Sequence, residues 1–186
     1  MKRPKVVALS GASGSGKTAL VKQLASRLSC PYLLFDDHKD TNTYPDDMKQ
    51  WLQSGADVSL IKTPMLVRSL EQLQLTNNSR YIFIEEPFGK QRDAISSFID
   101  IVVLLDPPLE LCLARIIKRH MEHSHSTETL FDYLNKYEDH LRDIYIAVTD
   151  QVRKSADLII SGKASVNEHC DLVSNWLYEE ELKKHE

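Results

Sequence analysis

One eight-residue segment constrains the fold more than any other part of the chain: Gly11-Ala12-Ser13-Gly14-Ser15-Gly16-Lys17-Thr18. It follows an apolar run at residues 6–9 and precedes Leu20, Leu24 and Leu28, spaced four apart as on one helix face. A buried strand, a glycine-rich turn ending in Lys-Thr and an amphipathic helix together give G-x-x-x-x-G-K-[ST] in its required context. The glycines let the backbone curl until successive N–H groups converge on one point. The helix start adds its own unsatisfied N–H groups and positive dipole end. Such a concavity suits phosphate oxygens, with Lys17 reaching the terminal phosphates and the Thr18 hydroxyl suited to Mg²⁺. The expected ligand of residues 11–18 (Gly11, Ala12, Ser13, Gly14, Ser15, Gly16, Lys17, Thr18) is therefore a nucleoside triphosphate.

Further apolar runs lie at residues 32–35, 81–84, 101–105 and 158–160. They are apolar throughout rather than alternating, as strands buried on both faces of a parallel sheet are. Helical spacing fills the gaps. Leu109, Leu113, Ile116 and Ile117 share one face, as do Val166, Cys170, Val173 and Leu177. Leu130, Leu134, Tyr137, Leu141, Ile144 and Val148 step by three and four along what reads as one long helix. The alternation predicts an α/β three-layer P-loop NTPase fold, a five-stranded parallel sheet with helices on both faces. A single domain over residues 1–186 is expected, with a helical lid near residues 115–130.

Composition narrows the partners. Twenty-three basic against 27 acidic residues leave a net charge of -4, which argues against nucleic acid. No apolar run approaches the ~20 residues that span a bilayer, so no membrane association is expected. The basic start is followed by too short an apolar stretch for a signal peptide. Cys30, Cys112 and Cys170 lack metal-type spacing and read as reduced thiols, which suits the cytoplasm. The Leu-Ser-Gly-Gly-Gln signature of transport ATPases is missing. Asn135-Lys136-Tyr137-Glu138 approaches the Asn-Lys-x-Asp of guanine-nucleotide switches but falls within helical spacing and ends in Glu.

Two pairs of carboxylates follow strand-like runs. Asp36 and Asp37 leave the second run at the sheet edge that carries Lys17, where open α/β sheets bind ligands. Transfer of a phosphoryl group to an alcohol needs a group there to orient or accept the hydroxyl proton. Successive residues leaving a strand point opposite ways, so one of the two faces the site; capping of the next turn is the alternative. Glu85 and Glu86 end the third run, where a carboxylate holds Mg²⁺ through water or binds a substrate hydroxyl. Arg115, Lys118, Arg119 and Glu122 follow at i, i+3, i+4 and i+7, a basic face suited to neutralising transferred charge or simply to solvent.

These segments resemble the uridine kinase, nicotinamide riboside kinase and phosphoribulokinase family of P-loop kinases. The likeness rests on the glycine-rich loop, Phe35-Asp36-Asp37-His38-Lys39, Ile84-Glu85-Glu86-Pro87, Asp106-Pro107-Pro108, Arg115-Ile116-Ile117-Lys118-Arg119 and Ala156-Asp157-Leu158-Ile159-Ile160. It spans most of the chain in short motifs, while residues 40–80 match poorly. The resemblance implies ATP- and Mg²⁺-dependent transfer of the γ-phosphoryl group to a hydroxyl of a small metabolite, a nucleoside or related sugar or vitamin. It implies Lys17, Arg115 and Arg119 as catalytic and Asp36 as general base with Asp37 as fallback. His38, beside these carboxylates, either contacts substrate or completes a turn. Glu85 is implied with Thr18 at the metal and beside the substrate, ahead of Glu86, where the family has Gly. Ser161-Gly162-Lys163 falls where the family's adenine-binding loop would be. The histidines of His120-Met121-Glu122-His123-Ser124-His125 read as exposed lid residues rather than a metal site. The rival reading is a regulatory nucleotide-binding NTPase acting through a protein partner. Oligomeric state stays open.

Overall fold

Side chains branched at Cβ and aromatic rings fit the pleated surface of a sheet, and apolar residues with many of these types form five strands. These are β1 (Lys5–Ser10), β2 (Tyr32–Leu33), β3 (Tyr81–Glu85), β4 (Ile101–Leu105) and β5 (Leu158–Ile160). A computed structural model describes residues 3–122 and 127–183. Within it the strands form one sheet, ordered β2-β3-β1-β4-β5, with every pair parallel. In register, Ala8 lies beside Ile84 on one side and Val102 on the other. The chain has the five-stranded α/β architecture expected from its sequence.

The two-residue repeat of a strand divides the core. Val6 and Ala8 of β1 face one layer, together with Trp51, Leu66, Leu70, Ile144, Val148 and Val152. Val7 and Leu9 face the other, with Leu20, Leu24, Cys170, Val173 and Leu177. The first layer comes from α2 (Met48–Gln53), α3 (Pro64–Thr76) and α7 (Arg142–Arg153). The second comes from α1 (Lys17–Leu28) and α8 (Val166–Leu182), and α8 starts on a reciprocal Ser165–Glu168 capping box. In chain order α4 (Asp93–Ser96), α5 (Leu109–Glu122) and α6 (Thr127–Lys136) lie between α3 and α7, and Ile95 of α4 joins the first layer.

Four local expectations need correction. Burial on both faces holds for the inner strands β1, β3 and β4. The edge strands differ, with Tyr32 and Ile159 each 42% exposed. The second strand is two residues long rather than four, because His38 bonds back to Leu34 O through its ring (2.8 Å) and to Phe35 O through its amide (3.1 Å). That tight turn draws Phe35 out of the ladder and into the core. On α5 the fully buried residues are Cys112 and Ile116, while Leu109, Leu113 and Ile117 are half-buried. The single long helix expected around residues 130–148 is α6 and α7 joined by a π-helical turn at Tyr137–Leu141. A π turn inserts extra residues without ending the helix, so the apolar spacing continues across it. No described helix is long and apolar enough to cross a membrane.

Candidate functional site

The glycine-rich loop leaves β1 at Ser10 and enters α1 at Lys17. Gly11, Gly14 and Gly16 adopt φ of 134°, 79° and 103°, a region that favours residues without Cβ. The loop is hemmed in from outside: a Cβ on Gly11 would stand 2.3 Å from Leu105 O, and one on Gly14 2.4 Å from Cys112 O. Arg115 of α5 donates to Ser15 O at 3.2 Å and to Gly14 O at 3.4 Å, bracing the loop. The start of α1 has neither a capping side chain nor an acidic residue in its first turn. Its N–H groups are left for an outside acceptor. The Ser15 hydroxyl is also buried and has no hydrogen-bond partner. An orphaned donor in a cradle of amides fits a phosphate group.

Two charged side chains meet inside the loop. Lys17 Nζ donates to Ala12 O at 2.9 Å and lies 3.8 Å from Glu85 Oε1. Thr18 Oγ1 donates to Glu85 Oε2 at 3.0 Å. Burial lowers the Lys17 pKa and raises that of Glu85, each opposed by the other's charge. Glu85 at the end of β3 and Thr18 at the start of α1 thus offer an oxygen pair to a hard cation such as Mg²⁺.

Two clefts join here. The smaller, about 250 Å³, is lined by the glycine loop, Thr18, Arg115 and Arg119. The larger, about 480 Å³, runs between Phe35, Tyr44, Met48, Trp51, Ile61 and Phe88 on one side and Leu141, Ile144, Tyr145 and Val148 on the other. Ser13, Lys17, Asp36, Glu85 and Arg119 border both. Asp36 opens the turn after β2 and forms an exposed ion pair with Lys39 at 2.8 Å.

The structure brings some sequence-predicted residues together and leaves others apart. Asp37, His38 and Lys118 line neither cleft, and neither does the Ser161-Gly162-Lys163 loop. His38 closes its own turn. Glu86 points away from Glu85 into the interior, where Arg92 donates through Nε to Oε1 (3.1 Å) and through Nη2 to Oε2. Burial raises the Glu86 pKa, against the opposing charge of Arg92. His123, Ser124 and His125 lie outside the described residues, among which no cluster of three metal-ligating side chains occurs.

Several residues of the larger cleft escaped the sequence reading. Tyr44, Met48, Trp51 and Ile61 come from the segment that matched no motif. The signals there were Asp47, which caps α2 by accepting from Gln50 N, and Thr63-Pro64 opening α3. Tyr145 shares hydrogen bonds with Tyr133 (3.3 Å) and Ser13, tying α7 and α6 to the glycine loop. Burial pushes its phenol pKa up.

No protein-family model matches the chain, and a search of curated proteins finds no match. Solved structures do resemble it. TT1252 from Thermus thermophilus shares 16% identity over 96% of this chain and 98% of its own, with a TM-score of 0.60. Shikimate kinase from Acinetobacter baumannii, in complex with shikimate, shares 18% over 96% of each chain, with a TM-score of 0.59. An uncharacterized protein from Eubacterium ventriosum shares 13% over 95% of this chain and 99% of its own, at 0.55. These likenesses show a common fold, the P-loop fold that shikimate kinase has.

Proposed function

We propose that the chain is an ATP- and Mg²⁺-dependent kinase, of the uridine kinase and nicotinamide riboside kinase type, acting on a hydroxyl of a small metabolite. The observation that carries this reading is the placement of Asp36 where a phosphate-sized cleft opens into a second, roomier one. A nucleotide hydrolase acting through a partner has no need of that second chamber. The shikimate kinase fold supports the same class of chemistry.

When bound, Mg·ATP supplies the transferable γ-phosphoryl group and the cation that offsets its charge. The loop amides and the Ser15 hydroxyl hold the phosphates, and Lys17 leaves Ala12 O to reach their terminal oxygens. Thr18 and Glu85 hold the cation's side of the cleft. Asp36 orients the acceptor hydroxyl and takes its proton. Its pair with Lys39 is exposed, and exposed pairs contribute ~1 kcal/mol or less, so an incoming hydroxyl displaces it at small cost. Arg119 borders both clefts and stabilises charge between donor and acceptor, while Arg115 keeps the loop in shape. Catalysis on this account is positioning and electrostatics.

The test is ADP release from Mg·ATP across a panel of nucleosides, sugars, vitamins and their phosphates, with Asp36→Asn alongside. The expected result is acceptor-dependent turnover that falls about 10²–10⁴-fold in the variant, the range for a general base. A rate indifferent to every acceptor and equal in both proteins would establish the regulatory NTPase instead.

A further inference from the structure

One wall of the larger cleft is anchored unevenly. It is formed by Leu141, Ile144, Tyr145 and Val148, where the π-helical turn passes into α7. Along α7, Ile144, Val148 and Val152 pack into the core beneath the sheet. In the other direction the support thins. No residue of the turn Tyr137–Leu141 is fully buried, and none of residues 129–136 in α6 is either. Lys49 of α2 meets Asp139 of the turn at 2.6 Å, but both side chains are exposed, and an exposed ion pair holds little.

Hydroxyl groups supply the missing tie. Tyr133 of α6 shares a hydrogen bond with Tyr145 of α7, and Tyr145 bonds in turn to Ser13 of the glycine-rich loop. Ser13 borders the phosphate cleft as well as the larger one. Burial raises the pKa of both phenols, so each keeps the proton that it donates. A hydroxyl donates one hydrogen bond and accepts others, so a chain of three has two directions open to it. A phosphate oxygen that only accepts, set against Ser13, leaves one direction. Tyr133 then donates to Tyr145, Tyr145 to Ser13 and Ser13 to the phosphate. Hydrogen bonds aligned in this way polarise and strengthen one another. The 3.3 Å between the two phenol oxygens exceeds the ~2.8 Å usual for hydroxyls and leaves room to shorten.

Resting on the nucleotide-binding part of the function proposed above, we infer that Tyr145 is a positioning residue: a nucleotide phosphate aligns the chain Ser13–Tyr145–Tyr133 and thereby fixes the α7 wall of the larger cleft, with α6 behind it. Tyr145 acts through Ser13. The larger cleft is set in shape by what fills the smaller one.

Amide hydrogen exchange over residues 129–141, with and without Mg²⁺ and β,γ-imido ATP, tests this on the whole chain. In the wild type the nucleotide should slow exchange there about fivefold or more, the low end of ordinary coupling between sites. Tyr145→Phe keeps the ring and removes the middle hydroxyl. The slowing should fall below about twofold, and because coupling is reciprocal, affinity for the analogue should drop by the factor lost. Tyr133→Phe cuts the far end of the chain, should lose the slowing as well, and decides the matter if Tyr145→Phe fails to fold. Tyr137→Phe should keep it: that ring lies between the other two, at 6.3 and 6.2 Å, but among the described residues its hydroxyl makes no hydrogen bond. A merely structural Tyr145 would speed exchange equally with and without nucleotide in the variant, and that result overturns the inference. Nucleotide binding that leaves residues 129–141 unchanged in the wild type also overturns it, as does a slowing lost in Tyr137→Phe. Failure of the wild type to bind the analogue would sink the nucleotide-binding reading along with it. Coupling without acceptor-dependent ADP release would instead sink the kinase reading and leave the role of Tyr145 standing.

Discussion

A methyl group at Gly14 would press on the backbone of Cys112 in α5, with its carbonyl oxygen at 2.4 Å, while one at Gly16 meets nothing within 4 Å. Both glycines hold positive φ, so alanine at either incurs backbone strain, but only at Gly14 must a second element move. Gly14→Ala should therefore destabilise the protein by about 2 kcal/mol more than Gly16→Ala, a typical overpacking cost, as read from paired urea titrations. Equal losses would mean that the loop does not pack against α5 as described. The neighbouring carboxylates are a different case at the same scale. Asp36 and Asp37, or Glu85 and Glu86, cannot be ranked by residue type. Direction ranks them: the turn at Asp36–His38 sets Asp36 at the junction, and the partnership with Arg92, six residues on, takes Glu86 into the interior.

At the level of elements, α8 owes its seat to Cys170, Val173 and Leu177 against the sheet, and it buries His169 near its start. Burial and the positive charge of Arg115 lower the His169 pKa from its ordinary 6.5, with Glu168 opposing. The sign follows: a depressed folded value favours the neutral ring, so that stability is complete above pH 6.5 and is lost as pH falls through the folded value. His169→Leu should flatten this part of the pH dependence, which urea unfolding above and below the ordinary value would measure; an unchanged slope would locate the titration elsewhere. The long helices were legible because their period repeats over several turns, and the inner strands because their apolar runs are unbroken. The helix α2 was not, since its six residues make too few turns to display a period. Short helices are marginal alone and are fixed by what they pack on, here through Trp51. The leucines of α3 did carry a spacing, at Leu66, Leu70 and Leu73, with Thr63-Pro64 before them.

For the molecule as a whole, binding at the glycine loop should couple to global stability, because β1, β4, α1 and α5 all converge there. Saturating a nucleotide site to about 100 times Kd adds about 2.7 kcal/mol. For a chain of 186 residues that corresponds to a Tm rise of about 5–10 °C. The rise should require Mg·ATP or a non-hydrolysable analogue and should vanish in Lys17→Ala; a nucleotide-independent Tm would contradict the phosphate-binding role of the loop. What the sequence determined by itself was the strand-loop-helix at Gly11–Thr18 and the class of sheet around it. Both are encoded in contiguous residues, through glycine's freedom at positive φ and through runs of apolar side chains. The larger cleft was decided by tertiary structure alone. Phe35, Trp51, Ile61, Phe88 and Ile144 each read as ordinary core residues in the chain, and only parallel crossovers bring them to one sheet edge. Apolar side chains carry no local mark of whether the space they face is filled by protein or left for a ligand.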